Sequence, residues 1–374
     1  MMNAPPFFRD LRQRIFELGG LFNAHLHLDR AGTLEETLRQ LSLDEAGDFS
    51  HLSLSRKHSI IPAIHDSSCY DEGNLEERVS CYLDLMQAVG TTRADTVVDV
   101  TADRVGLSAL ECLQSIKERR KNQIDLRVGA YSPLGFRDDE PKRWELLVQA
   151  VETADFIGSL PERDDREDYP AHIGFDDHCR RVLQLCGQTN KPIHIHADQK
   201  NHPFEGASER VLRIVRELGL TTPHAEEPRI WLVHVISPST YDEMRFRRLV
   251  DDFVELNIGV ICCPSAAISM RQIRPLLTPT GNSIARVLDF LAAGVPVRVG
   301  SDNIGDITSP AGTTDLLWEL FLLSNAMRYY DLGILAKLGA GKPLDPDDLD
   351  RLRFHLLEND KEMNRVAAKY PDPS

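Results

Sequence analysis

The sequence predicts an α/β chain folded as a (β/α)8 TIM barrel, and three observations carry that prediction. From about residue 74 onward, short β-branched runs alternate with amphipathic helical stretches. The strand-like runs number eight, and eight strand–helix pairs in about 300 residues is the count of such a barrel. No G-x-G-x-x-G turn follows the first run and no G-x-x-x-x-G-K-[ST] occurs anywhere, so a doubly wound sheet, the competing architecture, would lack its phosphate-binding turn.

Taken in order, strand one is LFNAHLHL at 21–28. Its period of two puts His25 and His27 on one face, both pointing into a barrel. Residues 34–73 then break the alternation with a long insert that contains SHLSLSRKHSIIPAIHD. A loop of that length at a barrel mouth is expected to cover a site; His58 and His65 in it, and His202 on a later candidate mouth loop, are expected to be surface residues. TTRADTVVDV (91–100), IDLRVGAY (124–131) and DFIGSLP (155–161) supply strands two to four. KPIHIHA (191–197), RIWLVHVI (229–236), IGVICCP (258–264) and VPVRVGS (295–301) supply the last four. The helical stretches between them include RWELLVQAVETA, DDHCRRVLQLCGQ and SERVLRIVREL, most of them followed by a Gly or Asn that can stop a helix. The tail from about 330 reads as helical, so residues 1–374 are expected to form one barrel domain.

Composition narrows the function. A formal charge of −15 argues against nucleic acid and anionic membrane surfaces, which need a basic footprint, and leaves a small molecule as the expected partner. The outer helical faces leave a homo-oligomer open. With 42% hydrophobic and 27% charged residues, and no apolar run of about 18 residues, the chain is expected to be soluble and cytoplasmic. Seven scattered cysteines fit reduced thiols, and Cys262 and Cys263 read as small apolar fillers of a strand. The P-C-x-x-C of the small zinc deaminases is absent.

In a barrel the active site lies at the carboxyl ends of the strands. The polar residues falling there are His25 and His27 on strand one, His196, Asp198 and Gln199 on strand five, His234 on strand six and Asp302 on strand eight. Several neutral imidazoles and one carboxylate converging on a point suit a divalent transition metal. His194 lies one layer below His196 and reads as a buried, hydrogen-bonded residue.

Together HLHLD, HIHADQ, LVHVISPS and VRVGSDN resemble the amidohydrolase superfamily, in particular its cytosine deaminase-like branch and more distantly adenosine deaminase. The likeness runs from strand one to just past strand eight. It implies that His25, His27, His196 and Asp302 bind one metal ion. His234 would face the attacking water or the substrate, and Asp302 would act as general base. Strand four contains no lysine of the kind that bridges two ions in binuclear members, so one ion is expected. Zinc or ferrous iron would both suit it.

The sequence also departs from the family. Gln199 stands where the resembling deaminases carry a glutamate that shuttles protons, and an amide cannot do so. Either the substrate needs no ring protonation, or Asp198, Asp302 or His234 supplies the proton, or catalysis is lost. The glutamine that reads the pyrimidine in cytosine deaminase would fall at Pro133 or Leu134, so cytosine itself is not expected. The family's accessory β-sandwich has no counterpart in 20 leading residues and a helical tail. Asp99 is expected to orient a ligand or a metal-site histidine, and Arg30, Arg271 and Arg274 to hold a substrate carboxylate. The function expected is hydrolysis of a C–N bond in a small nitrogen compound, by deamination or by cleavage of an amide or substituted amine. A non-catalytic, metal-bound or ligand-binding relative of the same fold is the alternative.

Overall fold

The computed structural model describes residues 5–220, 222–224, 226–270, 272–278 and 283–369. Its strands are β1 (Leu21–Leu26), β2 (Thr91–Asp99), β3 (Asp125–Tyr131), β4 (Phe156–Ser159), β5 (Ile193–Ala197), β6 (Ile230–His234), β7 (Gly259–Cys262) and β8 (Val297–Val299). Each falls inside the run expected from the sequence. Neighbours pair in chain order, β1 to β8, and every pairing is parallel. Strands such as Ile193–Ala197 and Ile230–His234 are buried at every position, as strands between a packed interior and a helical shell must be.

The ends of the sheet meet between β8 and β1. The amide of Asp302 donates to the carbonyl of His25 at 2.9 Å. The Asn23 side chain donates to Ser301 Oγ at 2.7 Å and accepts from the Ser301 amide at 3.0 Å. Gly300 permits this approach, because a Cβ there would lie 2.7 Å from the His25 carbonyl oxygen. Closing the barrel thus places the strand-eight carboxylate beside the strand-one histidines.

The outer layer follows from amphipathic sequence. Helix Ala207–Leu218 turns Val211, Leu212, Ile214 and Val215 inward and ends on Gly219 in the left-handed region. Asn190 and Asn257 end the helices Phe175–Thr189 and Glu243–Leu256 in the same conformation and feed the chain into β5 and β7. The tail is helical over Leu332–Gly339 and Pro346–Ala367. No helix among the described residues is long and apolar enough to cross a membrane.

The insert at 34–73 is more ordered than a loop. It folds as the helices Leu34–Leu41, Leu54–His58 and Ile61–His65 with two single 3-10 turns, and Ser53 accepts from the Arg56 amide at the start of the second. Its Leu54 and His58 lie over the carboxyl end of the barrel and help enclose the site.

Candidate active site

Four buried side chains converge at the carboxyl ends of β1, β5 and β8. His25, His27, His196 and Asp302 bring one ligand atom each within 4.8 Å of one another, the arrangement that could hold a metal ion. Nε2 of His25 and Nε2 of His196 face each other at 3.1 Å. Asp302 Oδ1 lies 3.3 Å from His27 Nε2 and 3.9 Å from His25 Nε2.

The chemistry of these donors fits a cation. His196 Nδ1 donates to the carbonyl of Ser159 at 3.0 Å, which fixes the proton there and leaves the lone pair of Nε2 aimed at the cluster. Burial is the largest influence on His25 and His196 and pushes both well below the usual imidazole range, and the neighbouring histidines push them further. Neutral rings are therefore the resident form, and neutral rings are what a metal takes. Burial alone would raise Asp302, but its hydrogen bond with His27 holds it well below the usual carboxylate range. The set is three imidazole nitrogens and one carboxylate.

His234 is buried, and neither of its ring nitrogens has a hydrogen-bond partner. Its Nε2 lies 3.9 Å from Asp302 Oδ2 and the ring lines the deep cavity beside the donors. His234, the last residue of β6, and Asp302, just beyond β8, both have positive φ, 78° and 60°. For non-glycine residues this is strained backbone, the kind that over-determined sites retain.

The deep cavity opens into a vestibule of about 620 Å³. Gln199 lines both, as do Leu54, His58 and Met270. Burial pushes His58 down to about 3, so it too is a neutral ring.

The remaining expected site residues divide. Arg30 lines the deep cavity, yet its Nε and Nη2 are pinned to Asp99 at 2.7 and 2.5 Å, which leaves it only part of its fork for a ligand. Asp99 does not reach the cavity. It is wholly buried, accepts from Arg30, from His65 at 2.9 Å and from Tyr70 at 3.3 Å, and lies with Asp29 in one group with the metal-site His27. Asp198 is a correction: its two oxygens accept the amides of Ala207 at 2.7 Å and Ser208 at 3.0 Å, capping the helix that follows β5. It lines neither cavity. Arg274 is exposed and borders neither cavity, and Arg271 lies outside the described residues.

His65 corrects the expectation of a surface residue, since it is wholly buried with a carboxylate on each ring nitrogen. Burial would push it down, but hydrogen bonds to Asp103 and Asp99 lift it to about 9. His202 is half-buried and lines neither cavity. His194 is buried as expected, but its Nδ1 has no partner; its ring packs 4.4 Å from Phe156. Cys262 and Cys263 are buried thiols, and all seven cysteines are free.

Comparison with known proteins bears on this geometry. No family model matches the chain. An uncharacterized protein of Haemophilus influenzae is 26% identical over 286 residues, which is 74% of this chain and 95% of that protein. A pterin deaminase of Rhizobium rhizogenes is 21% identical over 237 residues, 63% of this chain and 51% of its own length. The crystal structure of 5-methylcytosine deaminase from Klebsiella pneumoniae, liganded with phosphonocytosine, superposes with a TM-score of 0.71 at 21% identity, covering 86% of this chain and 73% of that one. The two share the (β/α)8 barrel fold. N-isopropylammelide isopropylaminohydrolase from Burkholderia multivorans shares it, with a TM-score of 0.64 at 20% identity over 86% of this chain and 72% of its own.

Two further residues that line these cavities, Tyr131 the deep one and Glu162 the vestibule, escape a reading of the sequence. Tyr131 ends β3 with its ring 5.4 Å from those of His27 and His196, and burial pushes its hydroxyl well up, so it stays neutral. Glu162, in the 3-10 turn Pro161–Asp164 after β4, accepts from Gln199 Nε2 at 3.1 Å. Its place in an acidic PERDD run gave no sign of burial, although the loop after a barrel strand was the place to look.

Proposed function

We propose that this chain is a metal-dependent hydrolase that breaks a C–N bond in a small, ring-containing nitrogen compound, with one divalent ion held by His25, His27, His196 and Asp302. The observation that carries this reading is the convergence of three imidazoles and one carboxylate within 4.8 Å, with the His196 tautomer set by Ser159. The names of the similar proteins, two deaminases and an isopropylaminohydrolase, support a C–N bond as the one broken. Zinc suits three nitrogens and an oxygen best, with ferrous iron second.

Such an ion supplies an acidified water as nucleophile and polarises the carbon under attack. The protein supplies the rest. Asp302 takes a proton from the water and passes it to the departing nitrogen. His234, with both nitrogens unengaged and Asp302 within 3.9 Å, is placed to hydrogen-bond the oxygen that gains charge. The deep cavity has room for the reacting atoms alone, so the body of the substrate extends into the vestibule, between the insert helix Leu54–His58 and the loop at 308–312.

The test is incubation of the metal-replete protein with a panel of aminated pyrimidines, triazines, pterins and acyl amides, with products read by mass spectrometry. Loss of an amine or ammonia with gain of oxygen is the expected product. Undiminished turnover after the metal has been stripped by a chelator would overturn the proposal.

A further inference from the structure

Hydrolysis of an amine on a ring needs an acid beside the attacked carbon, and Gln199 cannot be one. Two of the alternatives that the sequence leaves open are spent elsewhere: Asp198 on two helix amides, Asp302 on the ion and the water. A different carboxyl stands next to Gln199. Glu162 Oε2 accepts from Gln199 Nε2 at 3.1 Å, and Glu162 Oε1 is buried with no hydrogen-bond partner. An ionised oxygen left so would be costly, whereas a protonated one, or one meeting a ligand, would not. Glu162 lines the vestibule where Gln199 joins it to the deep cavity.

We infer that Glu162, held in place by the hydrogen bond it accepts from Gln199, carries protons directly to and from the substrate nitrogen in place of a carboxyl at position 199. This rests on the hydrolase reading above. The charged groups around Glu162 are Lys200, Asp198 and Glu205. Burial dominates among the influences on it, with Lys200 opposing and Asp198 adding, and its carboxyl is pushed up to about 7. A group poised there is half acid and half base in neutral solution.

The proton balance closes. Glu162 gives its proton to the ring nitrogen as the water oxygen bonds the carbon, and Asp302 takes the first proton of that water. Asp302 passes that proton to the exocyclic nitrogen, the C–N bond breaks and the amine leaves. The hydroxyl proton left on carbon returns to Glu162 as the carbonyl forms. One water is consumed, and both carboxyls end as they began.

The test uses the full-length, metal-replete protein as wild type, as Glu162→Gln and as the exchange Glu162→Gln with Gln199→Glu. Three quantities are read: metal content, the infrared carboxyl band across neutral pH, and the pH profile of kcat on the panel compound turned over fastest. Glu162→Gln is expected to keep its metal, to lose a carboxyl band that titrates near neutrality, and to lower kcat roughly a hundredfold or more. The exchange, which moves the carboxyl across the same hydrogen bond, is expected to recover part of the rate. An unchanged rate and profile in Glu162→Gln, or no titrating band lost with it, would overturn the inference while leaving the hydrolase reading intact. A wild type that binds no metal or turns nothing over would overturn that reading, and this inference with it.

Discussion

Replacing Asp99 by Asn would remove one negative charge from a wholly buried network while keeping the shape of the side chain. Asp99 and His65 are inaccessible and Arg30 is 3% exposed, so no water replaces the lost partner. Breaking a buried ion pair by removing one member costs about 3–5 kcal/mol, because the other charge is stranded. Part of that cost depends on pH. His65 is lifted from 6.5 to about 9, and this shift corresponds to about 3 kcal/mol shared between Asp99 and Asp103. A raised folded value means that this contribution is complete below about pH 6.5 and fades as pH rises through about 9. The Arg30 contribution does not fade, since guanidinium stays charged. Urea unfolding of wild type and Asp99→Asn across this range is therefore expected to show a gap of about 3–5 kcal/mol at neutral pH that narrows in alkali. A gap below about 1 kcal/mol, or one that is flat with pH, would refute the reasoning.

Two further substitutions separate chemistry from architecture. Asp302→Asn is expected to lower turnover roughly a hundredfold to ten-thousandfold while a substrate analogue still binds, as kcat and equilibrium dialysis would show; a wild-type rate would remove Asp302 as base. Asp198→Ala strands the amides of Ala207 and Ser208 and should cost about 2 kcal/mol in denaturant unfolding, with substrate affinity of the folded fraction unchanged; a loss of affinity without loss of stability would return Asp198 to the binding site.

The barrel was legible because a parallel strand buried on both faces must be a nearly continuous apolar run, and such runs as RIWLVHVI interrupted by histidine at their ends leave few readings. The four donors were legible for the same reason: polar residues at the carboxyl end of such strands have only one place to go. What escaped depends on contacts between distant positions. Asp198 looks like a site residue by its place after β5, and only the approach of the helix nine residues later shows that its oxygens are taken. His65 sits in an insert whose helices bury it against Asp99 and Asp103, and local pattern carries no trace of either partner. Glu162 is hidden by its company, because a charged run such as PERDD reads as solvated until the fold buries Asp164 and turns the Glu162 carboxyl inward beside Gln199.

The central claim is that His25, His27, His196 and Asp302 hold one catalytic ion, and elemental analysis of the purified protein beside His27→Ala tests it most directly. The account predicts about one zinc or iron per wild-type chain, and little in a folded His27→Ala protein. A metal-free wild type after reconstitution with zinc and with ferrous iron, or full metal content in His27→Ala, would contradict it.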